Sequence, residues 1–363
     1  MKKIAILGNG QLAAMMHDVS VKLGLLTIDF PLPEINKDGS CPHSEISSWV
    51  KKLKNFDVVT YEIENIPVSL LEAVNDVVPV YPSIPALASS QDRLIEKTTF
   101  TKLDIQTNAF MSISRQVDFI KAAQKFGYPF IIKTRRFGYD GKGQYVLKSE
   151  DDISKAWSVL GEHALIAESF VKFDYEVSQI ASRSQSGKIV YYPLVRNEHR
   201  EGILRETHVL AMSDTLSRKA QAAIEKVLNH FDYVGILAME FFVVDDALYV
   251  NEMAPRVHNS GHWSIDGAVT SQFENHLRAV AGQALGETNP THTYTMMINL
   301  IGEDVLDNRL SHLQGVTVKS YGKSLRKNRK MGHINIVSDS EKVFKETVTK
   351  VYQKIEATPC LTK

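Results

Sequence analysis

Cysteine is scarce in this chain: there are two, Cys41 and Cys360, in 363 residues. Two thiols cannot build a disulfide framework, and no Cys-x-x-Cys pair is present to hold zinc. A reducing, cytoplasmic setting is therefore expected. Long apolar runs are missing too. Nothing approaches the ~20 apolar residues that span a bilayer. The run Ile4–Leu7 after Lys2-Lys3 stops at Gly8, too short for the core of a signal peptide, so no membrane partner is expected. Net charge is absent, with 42 Lys+Arg against 42 Asp+Glu. A neutral chain lacks the broad basic field of a non-specific nucleic-acid binder, and no nucleic-acid partner is expected. What is present is an ordinary globular composition, 44% hydrophobic, which excludes general disorder. The length is that of about two to three domains.

The first ninety residues alternate short apolar runs (Ile4–Leu7, Leu25–Phe30, Asp57–Tyr61, Val77–Tyr81) with a helical period over Gln11–Leu23, which predicts a parallel sheet covered on both faces. Ser83–Ser90 reads as a boundary. Helices are then expected at Asp92–Leu103 and Val117–Phe126. Strands follow at Phe130–Thr134, Gln144–Lys148, Leu165–Phe170, Tyr175–Arg183 and Ile189–Val195, a pattern of α+β type. Ser149-x-x-Asp152 signals a helix start. Arg218–Phe231 and Ser271–Ala281 read as helices, and Gly235–Val244 with Ala247–Glu252 as a hairpin turning at Asp245-Asp246. Beyond a linker at Gly286–Pro290, three strands (Met296–Leu300, Val316–Tyr321, Ile334–Val337) and a helix to Ile355 complete the pattern.

Four segments resist a purely structural explanation. Gly8-x-Gly10-x-x-Ala13 joins a strand to a helix, with Asp29 at 19 residues beyond Gly10. Bare glycines let a phosphate approach a helix N-terminus. A dinucleotide, another phosphate ester or a tight turn without ligand all satisfy this pattern. The second segment, Lys133–Gln144, holds Gly138, Gly141 and Gly143 beside Lys133, Arg135, Arg136 and Lys142, a loop able to wrap phosphate oxygens. Third, Glu240 and Glu252 interrupt apolar strands of the expected hairpin. Two carboxylates ~4 Å apart repel by about 4 kcal/mol at an effective dielectric of ~20, so the pair calls for a cation or a shared proton. Oxygen ligands favour magnesium. Fourth, Ala254–Trp263 packs Arg256, His258, Asn259, Ser260 and His262 into one Pro/Gly-bounded loop, a surface for anions and sugars. Near the end, Lys323, Arg326, Lys327, Arg329 and Lys330 form a further basic cluster, without the interleaved aromatics that favour single-stranded nucleic acid.

The glycine loop with its preceding lysine, followed by acid-bearing strands ending in Asn251-Glu252, resembles the ATP-grasp fold. More narrowly, Gly8-Asn9-Gly10-Gln11-Leu12, Tyr61–Pro67, Gly138–Gln144, Ala254–Trp263 and Met331–Asn335 resemble the N5-carboxyaminoimidazole ribonucleotide synthetases. Those enzymes carboxylate aminoimidazole ribonucleotide in purine synthesis. Where that family usually continues Gly-Gln-Leu with Gly-Arg-Met, this chain has Ala13-Ala14-Met15, so no arginine acts there.

The resemblance implies an N-terminal domain over 1–91 that binds the substrate's phosphate. A two-lobed ATP-grasp domain would follow over 92–285, with a mobile lid at about 118–172, and a β-rich C-terminal domain over 286–363. It implies ATP and magnesium, small-molecule substrates (bicarbonate and aminoimidazole ribonucleotide), and a homodimer. ATP would be lined by Arg93, Lys133, Gly138, Tyr139, Asp140, Gly141, Lys142, Gly143, Gln144, Glu168, Ser169, Phe170, Val171, Glu176, His199, Asn251 and Glu252. Magnesium would fall to Glu240 and Glu252. Gly10, Gln11, Leu12, Glu62, Tyr139, Asp140, Arg256, His258, Asn259, Ser260, Lys323, Arg329 and Lys330 would surround the ribonucleotide and carboxyphosphate, with Asp140, Arg256 and His258 catalytic. The alternatives are another ATP-grasp ligase (a formate-dependent glycinamide ribonucleotide transformylase or a biotin carboxylase) and, more remotely, a nicotinamide-dependent oxidoreductase built on Gly8, Gly10 and Asp29.

Overall fold

The structure, a computed structural model, describes residues 1–36, 39–138, 143–209, 213–302, 310 and 312–356. Chain order begins with β1 (Lys2–Leu7), α1 (Gln11–Ser20), β2 (Leu25–Phe30), α2 (His43–Leu53), β3 (Val58–Tyr61), α3 (Val68–Asn75) and α4 (Ile84–Ser90). The three strands form a parallel sheet in the order β2-β1-β3. Alternation along β1 sorts its side chains to two cores. Ile4 and Ile6 meet Leu12, Met15 and Met16 of α1, while Ala5 and Leu7 meet Trp49 and Leu53 of α2 and Leu70 and Leu71 of α3. A strand buried on both faces is why Ile4–Leu7 reads as one unbroken apolar run.

One expectation fails here. Val77–Tyr81 is not a strand: only Val59 and Val80 bridge, because Pro79 and Pro82 have no N–H to give a ladder. Ser83–Ser90, read as a boundary, folds as α4, whose first turn accommodates Pro85.

The next elements are α5 (Arg93–Lys102), β4 (Phe110–Ile113), α6 (Val117–Phe126), β5 (Phe130–Thr134), β6 (Gln144–Leu147), α7 (Asp152–Leu160) and β7 (Leu165–Ser169). Asp92 caps α5, its carboxylate accepting from the Leu94 and Ile95 amides. Strands β4-β7-β5-β6 make an antiparallel sheet, and α6 and α7 bury Phe119, Ile153 and Leu160 against it. Thr134 N–H donates to the Gly143 carbonyl at 2.8 Å, holding the ends of the glycine loop together.

Then come β8 (Tyr175–Arg183), β9 (Ile189–Tyr191), β10 (Val195–Arg200), β11 (Ile203–Val209), α8 (Asp214–His230), β12 (Gly235–Val244), β13 (Ala247–Ala254), α9 (Ser264–Gly267) and α10 (Gln272–Val280). The β12–β13 hairpin turns through Asp245 and Asp246, both at positive φ (46° and 60°), as a two-residue hairpin loop requires. The tail supplies β14 (Tyr294–Ile301), β15 (Val316–Ser320), β16 (Lys330–Ser338) and α11 (Glu341–Glu356).

These C-terminal strands do not stand apart. They extend the central sheet, whose order is β13-β12-β8-β10-β11-β14-β16-β15 with β9 on β8. One core runs through Ile4 and Met16, Ile180, Trp263 and Phe273, and Met297, so the sequence-distant parts share a single apolar interior. Its consequence is positional: the N-terminal turn, the hairpin and the C-terminal basic cluster are fixed relative to one another.

Candidate active site

The β12–β13 register sets Glu240 opposite Glu252. Burial, followed by the charge of Glu252, pushes the Glu240 carboxyl up to about 7. A half-buried carboxylate facing an exposed one fits a hard divalent cation, which would supply the missing positive charge. The segment after β13 folds back across this pair. Arg256 pairs with Glu64 at 2.8 Å and donates to the Val257 carbonyl. His258 Nε2 lies 3.6 Å from Glu240 Oε1, and its Nδ1 is 2.8 Å from Ser260 Oγ. Burial, then the positive charge of Arg256, holds His258 well below its usual range, so the ring is neutral. Gln272 of α10 fixes the loop by accepting from His258 N–H (2.9 Å) and donating to its carbonyl (2.6 Å). Asn259 pairs with Asn299 of β14, and Ser260 is buried.

The C-terminal basic cluster reaches both this loop and the N-terminal turn. Lys323 donates to Gln11 of α1, and its charge acts on Glu62. Lys330, at the start of β16, acts electrostatically on both Glu240 and His258. Arg329 donates to Ser324.

The N-terminal turn departs from expectation. Glu62 spans it, its carboxylate accepting from Gly10 N–H at 2.5 Å and Ala13 N–H at 2.8 Å. A Cβ on Gly8 would lie 2.4 Å from Glu62 Cγ, and one on Gly10 2.8 Å from its Oε1. The glycines make room for this acid. A phosphate on the same amides would face a carboxylate already seated there, so the turn does not hold the substrate's phosphate in this arrangement, nor a dinucleotide's pyrophosphate. Asp29 pairs with His17 at 3.0 Å, which removes the remaining support for a nicotinamide cofactor. Leu12 points into the core instead of the cleft.

The glycine loop is also re-read. Arg135 grips Asp92 with bonds of 2.7–3.1 Å, and Arg136 donates to Gln91. Two of the four cations counted beside the loop thus brace it against the N-terminus of α5. Arg93 donates to the Thr134 and Gly138 carbonyls (3.3 and 3.1 Å) and so holds the loop backbone. Tyr139, Asp140, Gly141 and Lys142 lie outside the described residues.

Lys133 reaches Glu168 Oε2 at 3.1 Å. Burial opposes ionisation of Glu168, but Lys133, Lys97 and an Asn108 hydrogen bond hold its carboxyl down at about 2. Ser169, half-buried, closes β7, and Phe170 and Val171 follow it with Phe170 exposed. Glu176 meets His199 Nδ1 at 2.8 Å. Burial lowers the His199 affinity for a proton, yet Glu176 and the charges of Glu240 and Glu252 outweigh it, so His199 is raised. Asn251 gives its backbone carbonyl to Lys97.

Similarity to known proteins follows this geometry along the chain. Residues 1–91 match the ribonucleotide synthetase preATP-grasp domain, 98–273 the ATP-grasp domain, and 295–347 the phosphoribosylaminoimidazole carboxylase C-terminal domain. An N5-carboxyaminoimidazole ribonucleotide synthase of Vibrio cholerae is 39% identical, covering 93% of this chain and 91% of its own. One from Pseudomonas aeruginosa is 38% identical over 98% and 100%. The chain belongs to the N5-carboxyaminoimidazole ribonucleotide synthase family. Among solved structures, the Thermus thermophilus synthetase superposes with a TM-score of 0.89 at 38% identity, covering 98% of this chain and 99% of that one. The Aspergillus clavatus synthase in complex with ADP and 5-aminoimidazole ribonucleotide gives 0.87 at 26%, over 98% and 99%.

Sequence reasoning missed three residues that contact the candidate site. Glu64 neutralises Arg256. Lys97, buried in α5, bonds Thr107, Asn108 and the Asn251 carbonyl. Glu96, beside it, accepts from Met253 N–H at 2.8 Å. A signal did exist: Arg93, Glu96, Lys97 and Phe100 share one helical face. Among the described residues a second acid–histidine group, Glu198, Glu206 and His208, gathers within 4.8 Å. The oxygens of Glu206 are engaged by His208 (3.0 Å) and Arg200 (3.4 Å), which ties these three residues into an ion-pair network.

Proposed function

We propose that the cleft between Glu168, the Glu240–Glu252 pair and the Arg256–Ser260 loop is where this enzyme, an ATP-dependent carbon–nitrogen ligase, carboxylates 5-aminoimidazole ribonucleotide with bicarbonate in purine biosynthesis. The observation that carries the assignment is the convergence just described. Glu240 and Glu252, neutral His258, and Lys323 and Lys330 from the far end of the chain all close on one place.

The adenine base is assigned to the hinge Glu168–Val171. Glu168 Oε1 is buried and has no hydrogen-bond partner among the described residues, which suits a base amino group. Glu176 and His199 take the ribose side. Lys133 and the Gly138–Gln144 loop, with Tyr139, Asp140, Gly141, Lys142 and Gly143, enclose the phosphates. Glu240 and Glu252 would hold magnesium, which supplies charge neutralisation of the phosphates when bound.

A bicarbonate oxygen attacks the γ-phosphorus, ADP leaves, and carboxyphosphate forms. The exocyclic amine of the ribonucleotide then attacks the carboxyl carbon, loses a proton and expels phosphate. Positioning and charge dominate such a transfer, so no nucleophilic side chain is required. Arg256, held in line by Glu64, presents its guanidinium to carboxyphosphate. His258, kept neutral, can accept a proton or a hydrogen bond beside it. Asn259 and Ser260 border the substrate, as Gln11 and Glu62 do from the N-terminal side, and Asp140 orients the amine. With the N-terminal amides taken by Glu62, the 5′-phosphate falls to Lys323, Arg329 and Lys330. A cytoplasmic homodimer is the proposed setting; buried, unpaired Cys41 is consistent with a reducing compartment.

ADP release in the presence of ATP, magnesium, bicarbonate and aminoimidazole ribonucleotide tests the assignment by omission. Release should collapse when either bicarbonate or the ribonucleotide is left out, with no response to formate or biotin. Release driven by formate would instead indicate a transformylase.

A further inference from the structure

The least expected group in the molecule is a lysine, Lys97, only 1% exposed. A cation is rarely taken this far from water without a task that repays it. Its ammonium reaches Thr107 Oγ1 at 3.0 Å, Asn108 Oδ1 at 2.7 Å, the Asn251 carbonyl at 3.3 Å and Glu168 Oε2 at 3.5 Å. Asn108 completes the bridge, because its amide nitrogen donates to Glu168 Oε2 at 3.1 Å. With Lys133 at 3.1 Å, three donors crowd one oxygen of Glu168 while the other has none among the described residues.

We propose that Lys97 is a specificity-determining residue: by fixing Glu168 as a charged group with one oxygen available, it restricts the bound nucleotide to a purine bearing a 6-amino group. The inference rests on the assignment of the base to Glu168 under Proposed function. An ionised carboxylate only accepts. A 6-amino purine donates to it, whereas a 6-oxo purine presents a lone pair and leaves its own oxygen and Glu168 Oε1 unsatisfied. Lys133 cannot do this alone. Its side chain is 15% exposed and is assigned to the nucleotide phosphates, which compete for its charge. Lys97, 1% exposed, is assigned to no phosphate, and its charge acts on Glu168 and on the neighbouring Glu96. The two lysines are the charged groups that hold Glu168 ionised, which accords with its depressed proton affinity.

Calorimetric titration with ADP and with IDP (the 6-oxo analogue) tests the idea. It is run on the wild type and on the Lys97→Met, Lys97→Arg and Glu168→Gln variants. The wild type should prefer ADP by roughly ten- to a hundredfold, the loss expected for one hydrogen bond to a charged group. Lys97→Met should bring the preference below about threefold, chiefly by improving IDP, because a protonated Glu168 can donate to the 6-oxo group. Lys97→Arg, which keeps the charge, should retain most of it. A merely structural lysine would weaken both nucleotides together and leave their ratio unchanged; that result, or a wild type indifferent to the base, overturns the proposal. Should Lys97→Met fail to fold, Glu168→Gln decides: its amide both donates and accepts, so the preference should vanish, and a retained preference refutes the acceptor role. Nucleotide binding is read without turnover. An enzyme that ignores bicarbonate would therefore defeat the assigned reaction without touching this result.

Discussion

His276 gives the sharpest test of how the parts of the molecule are joined. It lies on α10, fully buried, with its Nε2 2.8 Å from Thr60 Oγ1 of β3 and its Nδ1 facing the Ile236 N–H of β12 at 3.3 Å. The Ile236 amide requires an acceptor, so Nδ1 is bare and the proton sits on Nε2, donated to Thr60. Protonating the ring would set N–H against N–H. Burial accordingly holds its pKa down at about 4, against an ordinary 6.5. The folded state therefore binds fewer protons than the unfolded state between those values, and stability is lost as pH falls from 6.5 toward 4. The full interval corresponds to about 3 kcal/mol, of which about 2 kcal/mol is lost by pH 5. Other buried histidines, His333 (about 3) and His262, add to the acid sensitivity of the wild type, so the contribution of His276 is read by difference. In His276→Gln a polar partner remains for Thr60 but nothing titrates. Urea unfolding at pH 7.5 and pH 5, followed by tryptophan fluorescence, should show the wild type losing about 2 kcal/mol more than the variant. Equal losses would mean that His276 is protonated or solvated in the folded state, and that the joint between the N-terminal sheet and α10 is not as described. The joint matters for chemistry because α10 also carries Gln272, which pins His258.

The remaining predictions concern the site more directly. Glu252→Gln should abolish ADP formation while leaving the thermal transition in place; retained turnover would remove the metal assignment. Lys323→Ala should raise the KM for the ribonucleotide about tenfold, the weight of one charge-assisted bond, with the KM for ATP unchanged; a change confined to ATP would contradict its placement. Asp92→Ala removes both the α5 cap, worth about 1 kcal/mol, and the grip on Arg135, so the midpoint of urea unfolding should fall and the KM for ATP should rise. An unaltered KM would mean that the Arg135 brace does not order the glycine loop. Trp263→Ala, at the shared core, should cost roughly 3–5 kcal/mol, measured by chemical denaturation.

Much of this architecture was legible because its signals are local. Apolar runs marked the doubly covered strands, Asp245-Asp246 marked the hairpin, and the acids interrupting β12 and β13 marked the Glu240–Glu252 pair. What escaped was set by tertiary contact. Val195–Arg200 and Ile203–Val209 are adjacent strands, yet their charged residues hide the alternation; the turn at Glu201-Gly202, both at positive φ, was the overlooked cue. Arg135 and Arg136 read only as positive charge beside the glycine loop, because nothing in the sequence says that Asp92 and Gln91 will lie beside them. The Gly8–Gly10 turn read as an anion cradle for a sound reason, since it does bind an anion: the carboxylate of Glu62, 52 residues from Gly10. For a residue such as Lys97 the spacing with Arg93, Glu96 and Phe100 marks a shared helical face, but its burial depends on partners from three other segments.

The central claim is that one cleft transfers phosphate from ATP to bicarbonate before the ribonucleotide is carboxylated. The most direct measurement uses bicarbonate labelled with oxygen-18 and follows the inorganic phosphate by mass spectrometry. Carboxyphosphate formation places one labelled oxygen in each phosphate released, in step with ADP. Phosphate without label, accompanied by ADP, would show that water or another acceptor takes the phosphoryl group and would contradict the account.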